Sequence, residues 1–75
     1  VEIPDSVTGI DDCAFRGCSK LEKVIIPSSV VELGWGIFDG CERKVTVYCD
    51  EGSAAQNYCR RNGIREARVY EKEND

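Results

Sequence analysis

Two short segments of the chain alternate apolar and polar residues, which predicts two β-strands. Their apolar positions are Leu21, Val24 and Ile26 in the first segment, and Val45, Val47 and Cys49 in the second. Period-two alternation rich in β-branched residues is typical of strands that bury one face. Pro4 and Pro27 are expected to end strands, because proline fixes φ and has no N–H for a sheet ladder.

A second apolar layer follows each proline. After Pro4 its positions are Val7, Ile10, Ala14 and Phe15, and after Pro27 they are Val30, Leu33, Ile37 and Phe38. Gly17 and Gly40 then favour a tight bend. Each segment is therefore expected to run out along a strand and return across a common core.

One helix is predicted, from about Ala54 to Asn62. Ser53 and Gln56 have the spacing of a capping box, and Asn62-Gly63 is a strong stop signal. The alternation from Ile64 to Tyr70 predicts a last strand. The charged residues 71–75 give no reason to fold.

The chain repeats itself every 23 residues, so that residues 1–23 align with residues 24–46. Identical pairs are Val1/Val24, Ile3/Ile26, Pro4/Pro27, Ser6/Ser29, Val7/Val30, Phe15/Phe38, Gly17/Gly40 and Cys18/Cys41. A fixed period of this length predicts a solenoid of stacked units. A third copy begins at Val47, but its pattern changes to that of a closing unit, which protects core and strand edges at the end of a stack.

The repeated motif resembles a known family. The run Leu21-x-x-Val24-x-Ile26-Pro27-x-Ser29-Val30-x-x-Leu33-Gly34-x-x-Ile37-Phe38-x-x-Cys41 is similar to the BspA-like, or Treponema-type, leucine-rich repeat. The resemblance covers residues 1–49, and the segment after it is similar to the C-terminal closing units of such proteins. Asp11, Ile37 and Lys44 depart from the family pattern, which prefers glycine, alanine and an apolar residue there.

The resemblance implies an α/β solenoid, a right-handed leucine-rich coil with short parallel strands on its concave face and a C-terminal capping helix. The domain would span residues 1–70, with repeats 1–23 and 24–46 and a cap at 47–70, followed by the charged tail 71–75. The family's usual inferred role is adhesion or protein binding at the surface of host-associated bacteria and some protozoa, or after secretion. An extracellular or cell-surface location is therefore expected, and no catalytic residues come with the resemblance.

Seventy-five residues make one small domain that buries roughly 60% of its unfolded surface. The chain starts inside a predicted strand without a signal peptide, so we interpret it as the C-terminal part of a longer array. Its open N-terminal end is expected to self-associate or to fray over roughly the first ten residues. No apolar run approaches the roughly 20 residues of a membrane span, so no membrane insertion is expected.

The net charge of −4 argues against nucleic acid or an anionic membrane surface as a partner. One local cluster is positively charged instead, and it consists of Arg60, Arg61, Arg65 and Arg68. We interpret it as a solvated face balanced by Glu66, Glu71 and Glu73; the alternative is docking of an acidic partner.

Five cysteines cannot all pair within the chain. Cys18 and Cys41 share one repeat position and are expected to be buried thiols stacked in the core, a disulfide being the alternative. Cys13 lies off the motif and is expected to be the most reactive thiol. Cys49 and Cys59 are expected to face each other across the cap, either as thiols or as a disulfide.

The residue inventory argues against an enzyme. The chain has no histidine, the usual base for a serine or cysteine nucleophile and the commonest metal ligand. The spacings Cys13-x4-Cys18 and Cys49-x9-Cys59 do not fit a zinc site. No cofactor is therefore expected, and a redox-active thiol is indicated only by the neighbours Cys59 and Arg60.

Binding is the function that the pattern favours. Strand positions between the core residues should align from one unit to the next on the concave face. This gives a candidate protein-binding set of Glu2, Ile25 and Tyr48 beside Lys23 and Thr46. An ordinary strand surface is the alternative for this set.

The sequence therefore leaves two functions from different classes: a protein-interaction module, or a structural end cap without a ligand of its own.

Trp35 has two possible roles. It replaces Asp12 of the first repeat on the outer side, and we expect it to shield the core rather than to form an exposed patch.

Overall fold

The structure, a computed structural model, describes residues 1–69. In chain order its elements are β1 (Gly9–Ile10), β2 (Lys23–Ile25), β3 (Glu32–Leu33), β4 (Thr46–Tyr48), α1 (Ala54–Asn62) and β5 (Arg65–Ala67). The helix matches the predicted bounds, and β2 and β4 fall inside the two alternating segments. The last strand is shorter than predicted. Tyr70 and the tail 71–75 lie outside the described residues.

All described strand pairs are parallel, and they form two sheets. The larger sheet has the order β2-β4-β5, with Glu2 bridged to Ile25 at its other side, and the smaller sheet pairs β1 with β3. Short parallel strands with one helix are therefore confirmed. The arrangement of these strands and the helix in a single right-handed coil stays a prediction.

The sequence repeat is also the pairing register. Lys23 pairs with Thr46, and Gly9 with Glu32, so residues 23 positions apart lie side by side in both sheets. We call residues 49–69, which contain α1 and β5, the helical segment. It changes this offset, since Thr46 pairs with Arg65 after only 19 residues. The two sequence copies thus lie side by side in space, and the segment that follows adds a strand at a shorter offset.

The core lies between the two sheets and α1. Its fully buried side chains come mainly from the second copy and the helical segment: Val24, Ile26, Val30, Ile37, Phe38, Val45, Val47, Cys49, Ala55 and Cys59. The equivalent first-copy residues Ile3, Val7 and Phe15 are only half-buried. The first copy is packed from one side, whereas the second is enclosed between the first copy and the helical segment.

Helix α1 has the ends that the sequence predicts. The Ser53 hydroxyl accepts a hydrogen bond from Gln56 N at 3.2 Å, which caps the first turn. The Gln56 side chain reaches back one residue further than in a standard capping box, and its Oε1 accepts from Gly52 N at 2.7 Å. Gly63 ends the helix in the left-handed conformation, with φ 67°.

Gly34 is a point of close approach between the two copies. A Cβ atom built there would lie 2.5 Å from Asp12 N and 2.7 Å from Asp12 Cα, both main-chain atoms. The backbone of Gly34 is itself bonded to the first copy, donating to Ile10 O at 2.9 Å. Any larger residue must therefore push the two copies apart.

We expect Gly34→Ala to lower the free energy of unfolding by about 1–3 kcal/mol, because the added methyl group overpacks a main-chain contact. The control is Gly52→Ala: Gly52 has φ 78° and open space around its Cβ position. It should lose only about 1 kcal/mol, from backbone strain alone. Urea titrations of both variants measure the difference, and a smaller loss for Gly34→Ala would contradict the close approach.

Candidate protein-binding face

In the larger sheet, β2 and β4 each turn their middle side chain to the core and the other two away from it. Val24 and Val47 are fully buried, so their neighbours along the strands point to the opposite face. We call this the sheet face and define it by the outward residues of β2, β4 and β5. These residues are Lys23, Ile25, Thr46, Tyr48, Arg65 and Ala67.

The sheet face brings together the candidate binding residues. Lys23 is paired with Thr46, and Ile25 is paired with Tyr48, while Glu2 bridges to Ile25 from the first copy. Glu2 and Lys23 are exposed, and Ile25 and Thr46 are half-buried. The predicted columns therefore exist as neighbours in space, and their role in binding stays a prediction.

Tyr48 differs from the expectation of an exposed contact residue. Its relative exposure is only 9%. Tyr48 lies on the central strand between its partners Ile25 and Ala67, and side chains directly opposite in neighbouring strands cover each other. Tyr48 is therefore largely buried within the sheet face and is not an exposed contact residue.

The first residues of the chain are attached to β2 on one side. Ile3 N donates to Ile25 O and Ile25 N donates to Val1 O, each at 2.9 Å. Val1 is nevertheless exposed, at 63%. Neither fraying nor self-association at this end follows from these contacts, and both stay predictions.

Basic residues around the sheet face are the feature that sequence reasoning missed. Arg65 extends the row of Lys23 and Thr46 on the next strand. Its Nη2 donates to Arg43 O at 2.6 Å, and Lys44 Nζ donates to Ser19 O at 3.3 Å. The repeat carried a signal for this cluster, because Lys20 and Arg43 occupy the same repeat position just before β2 and β4.

The arginine cluster of the helical segment divides into two parts. Arg60 pairs with Glu66 at 3.6 Å, and Arg68 pairs with Glu66 and lies 3.9 Å from Glu51. These ion pairs support the predicted charge balance for both arginines. The Arg68 side chain is only 14% exposed, so the interpretation as a solvated face is wrong for Arg68. Arg65 belongs to the sheet face instead. Glu71 and Glu73, the other proposed balancing residues, lie outside the described residues.

All five cysteines are free thiols. Cys41 is buried, and its Sγ donates to Phe15 O at 3.8 Å, whereas Cys18 is exposed. The expectation of two buried thiols is therefore wrong for Cys18, because the first copy is packed from one side only. Cys13 is half-buried, so Cys18 and not Cys13 is the most accessible thiol.

Cys49 and Cys59 are buried in the helical segment, as expected, and they are thiols rather than a disulfide. Burial raises the pKa of Cys59 to about 12, with a further increase from Cys49 and a smaller decrease from Arg68. Burial likewise raises the pKa of Cys49. A reactive thiol needs a lowered pKa, so the pair does not favour thiol chemistry.

Trp35 does not shield the core. It is 67% exposed, and its main-chain N–H donates to Asp12 Oδ1 at 2.9 Å. Val31, which precedes β3, is also 64% exposed. The interpretation of Trp35 as a cover over the core is wrong, because a side chain with this exposure buries little surface against the core.

No group of three or more histidine, cysteine or acidic side chains within residues 1–69 is placed to hold a metal ion. In the same part of the chain, α1 is too short and too polar to cross a bilayer. The sheet face itself presents both charged and apolar side chains.

Comparison with known proteins identifies the repeat. No curated protein sequence and no solved structure matches the chain. One family profile does, over residues 1–62, and it is described as the BspA type leucine rich repeat region. The match includes both 23-residue copies and the whole of α1. The chain therefore belongs to the BspA-type leucine-rich repeat family.

Proposed function

We propose that this chain is a non-catalytic protein-interaction module that binds its partner on the sheet face. The observation that carries the proposal is the in-register alignment of Lys23 with Thr46 and of Ile25 with Tyr48. Side chains held at fixed spacing on a rigid sheet form a preorganised surface. Membership of a leucine-rich repeat family supports this class of function.

The proposal includes the larger architecture and its setting. We propose that the stacked copies form a right-handed coil whose concave side is the sheet face, with residues 47–70 as its cap. Adhesion at a cell surface or after secretion is the setting that the family favours. Self-association through Val1 and Ile3 belongs to the same proposal, since their outer strand edge presents apolar side chains.

The second candidate is a structural end cap that closes a longer array without binding a ligand. A specific observation favours it: α1 and β5 cover the second copy, with Tyr58 Oη accepting from Ile37 N at 3.1 Å. The shorter 19-residue offset of β5 is also a feature of a closing unit. This candidate predicts that the chain alone has no measurable affinity for any partner.

A peptide selection distinguishes the two candidates. A phage-displayed library of random peptides is selected on the immobilised 75-residue chain, and enriched peptides are measured by fluorescence polarisation. We expect enrichment over a blank surface. The triple variant Lys23→Ala/Ile25→Ala/Thr46→Ala should raise the Kd by about tenfold or more, as loss of central contacts does at other interfaces.

The matched control is Arg16→Ala/Val31→Ala/Ser28→Ala, which removes one cation, one branched apolar side chain and one hydroxyl at exposed positions outside the sheet face. It should change the Kd by less than about twofold. Thermal melts of both variants establish that they are folded. Failure to enrich any peptide would reject the proposal in favour of the end cap. Loss of binding in the control alone would reject the sheet face as the binding site and place that site elsewhere on the chain.

A further inference from the structure

Five cations surround one end of the sheet face, where the strands begin. We call this group the basic rim, and its members are Lys20, Lys23, Arg43, Lys44 and Arg65. All five are exposed. They represent half of the ten basic residues of a chain whose net charge is −4.

The rim consists of two groups of residues, which the adjacent residues Arg43 and Lys44 join. Lys23 and Arg65 flank Thr46 in one register row, and the Arg65 guanidinium reaches Arg43 O. Lys20 and Lys44 line the same shallow groove beside Ser19. The Cα atoms of Lys23 and Arg65 are two strand spacings apart, which corresponds to about 10 Å.

The rim cations have no acidic partners in the part of the chain that the structure describes. The ion pairs there involve Arg60 and Arg68 with Glu51 and Glu66, and none includes a rim residue. Like charges held close together repel each other, which raises the free energy of the unbound face. A partner that brings negative charge to the rim lowers this repulsion.

We propose that the basic rim selects an acidic protein segment, whose carboxylates bind Lys23 and Arg65 while its apolar side chains cover Ile25. This inference rests on the proposed function and names the chemistry of the partner. The Thr46 hydroxyl lies between the two cations and supplies a hydrogen-bond donor for a carboxylate. Half-buried Ile25 adds apolar surface to the same contact.

A protein segment fits the rim better than a polyphosphate does. Glu22 and Glu42 interrupt the run of cations in the sequence, and Glu22 lines the same groove as Lys20 and Lys44. Nucleic acids and anionic membranes require an uninterrupted positive field over many phosphates. Carboxylates placed singly on a peptide can avoid the two acidic positions and still reach the cations.

The test is an NMR titration of the 75-residue chain with an octa-glutamate peptide and with octa-glutamine as the neutral match. We expect octa-glutamate to shift backbone amide signals of residues 20–25, 43–48 and 65–67, and octa-glutamine to shift none of them. Salt screens exposed charges, so raising the ionic strength from about 0.05 M to about 0.3 M should weaken binding by about tenfold.

Charge reversal locates the site. Lys23→Glu/Arg65→Glu should abolish the octa-glutamate shifts, whereas Arg16→Glu/Arg61→Glu changes the net charge equally at exposed positions outside the rim and should keep them. Equal effects of the two double variants would overturn the inference. So would tighter binding of a 20-base DNA strand or of phosphatidylserine vesicles than of octa-glutamate, which would identify a polyanion site instead.

The outcomes also separate this inference from the proposed function. If peptides selected from the random library bind the sheet face and octa-glutamate does not, the face binds proteins without the acidic preference, and only the inference fails. If neither the selected peptides nor octa-glutamate shifts residues of β2, β4 and β5, the proposed function fails as well.

Discussion

Phe38→Ala is expected to unfold most of the protein at room temperature. Phe38 is 1% exposed, and its ring stacks on that of Phe15 with centroids 5.6 Å apart. Replacing a fully buried phenylalanine with alanine removes its transfer free energy and leaves a cavity, a loss of about 3–5 kcal/mol. A domain of this size has little stability beyond that amount. Urea titration followed by far-UV circular dichroism measures the loss.

Phe15→Ala is the matched control, because Phe15 holds the same repeat position in the first copy. Phe15 is only half-buried and packs against the core from its edge. We expect a smaller loss than at Phe38, since less surface returns to water and the cavity opens to solvent. Equal losses would show that the first copy is as enclosed as the second. If Phe38→Ala is wholly unfolded, Phe38→Leu against Phe15→Leu gives the same comparison.

The sequence predicts the fold well where local chemistry decides it. Ser53, Gln56 and Gly63 define both ends of α1 through short-range hydrogen bonds and a left-handed terminal residue, so the predicted helix is confirmed. The 23-residue repeat predicts the pairing register, because equivalent residues of stacked copies lie side by side. Both predictions follow from the residues involved, without knowledge of how the rest of the chain packs.

Burial of individual residues is predicted less well, because it depends on what lies on each side of a copy. Cys18 and Cys41 share a repeat position, yet only Cys41 is buried. Tyr48 alternates like a surface residue and is covered by its neighbours on both adjacent strands. A periodic pattern gives the direction of a side chain but not the size of its neighbours across the sheet.

Backbone conformation at repeat-equivalent positions shows a signal that sequence reasoning did not use. Cys13 has φ 57°, and Gly36, its equivalent in the second copy, has φ 63°. Glycine takes this left-handed conformation at no steric cost, and cysteine does not. The alignment of Cys13 with a glycine predicts a turn there. The basic rim was missed for a different reason: Arg65 joins it only through the shorter register of β5.

Alkaline pH is expected to destabilise the protein strongly. Burial raises the pKa of Cys59 to about 12, from an ordinary value of 9.0, and burial also raises the pKa of Cys49, Cys41 and Tyr58. Between pH 9 and pH 12 the unfolded chain loses the Cys59 proton while the native chain keeps it. The unfolded state then binds fewer protons, so stability is complete below pH 9 and falls as pH rises toward 12.

The free energy of unfolding from urea titrations at pH 8, 9, 10 and 11 measures this loss, with a slope of up to about 1.4 kcal/mol per pH unit from one such thiol. Cys59→Ala should flatten the profile, because the titrating group is gone and alanine remains apolar. Cys18→Ala is the control, since Cys18 is exposed and its removal should leave the slope unchanged. A stability independent of pH over this range, or an equal change in both variants, would show that Cys59 is not held as a buried neutral thiol in the folded protein.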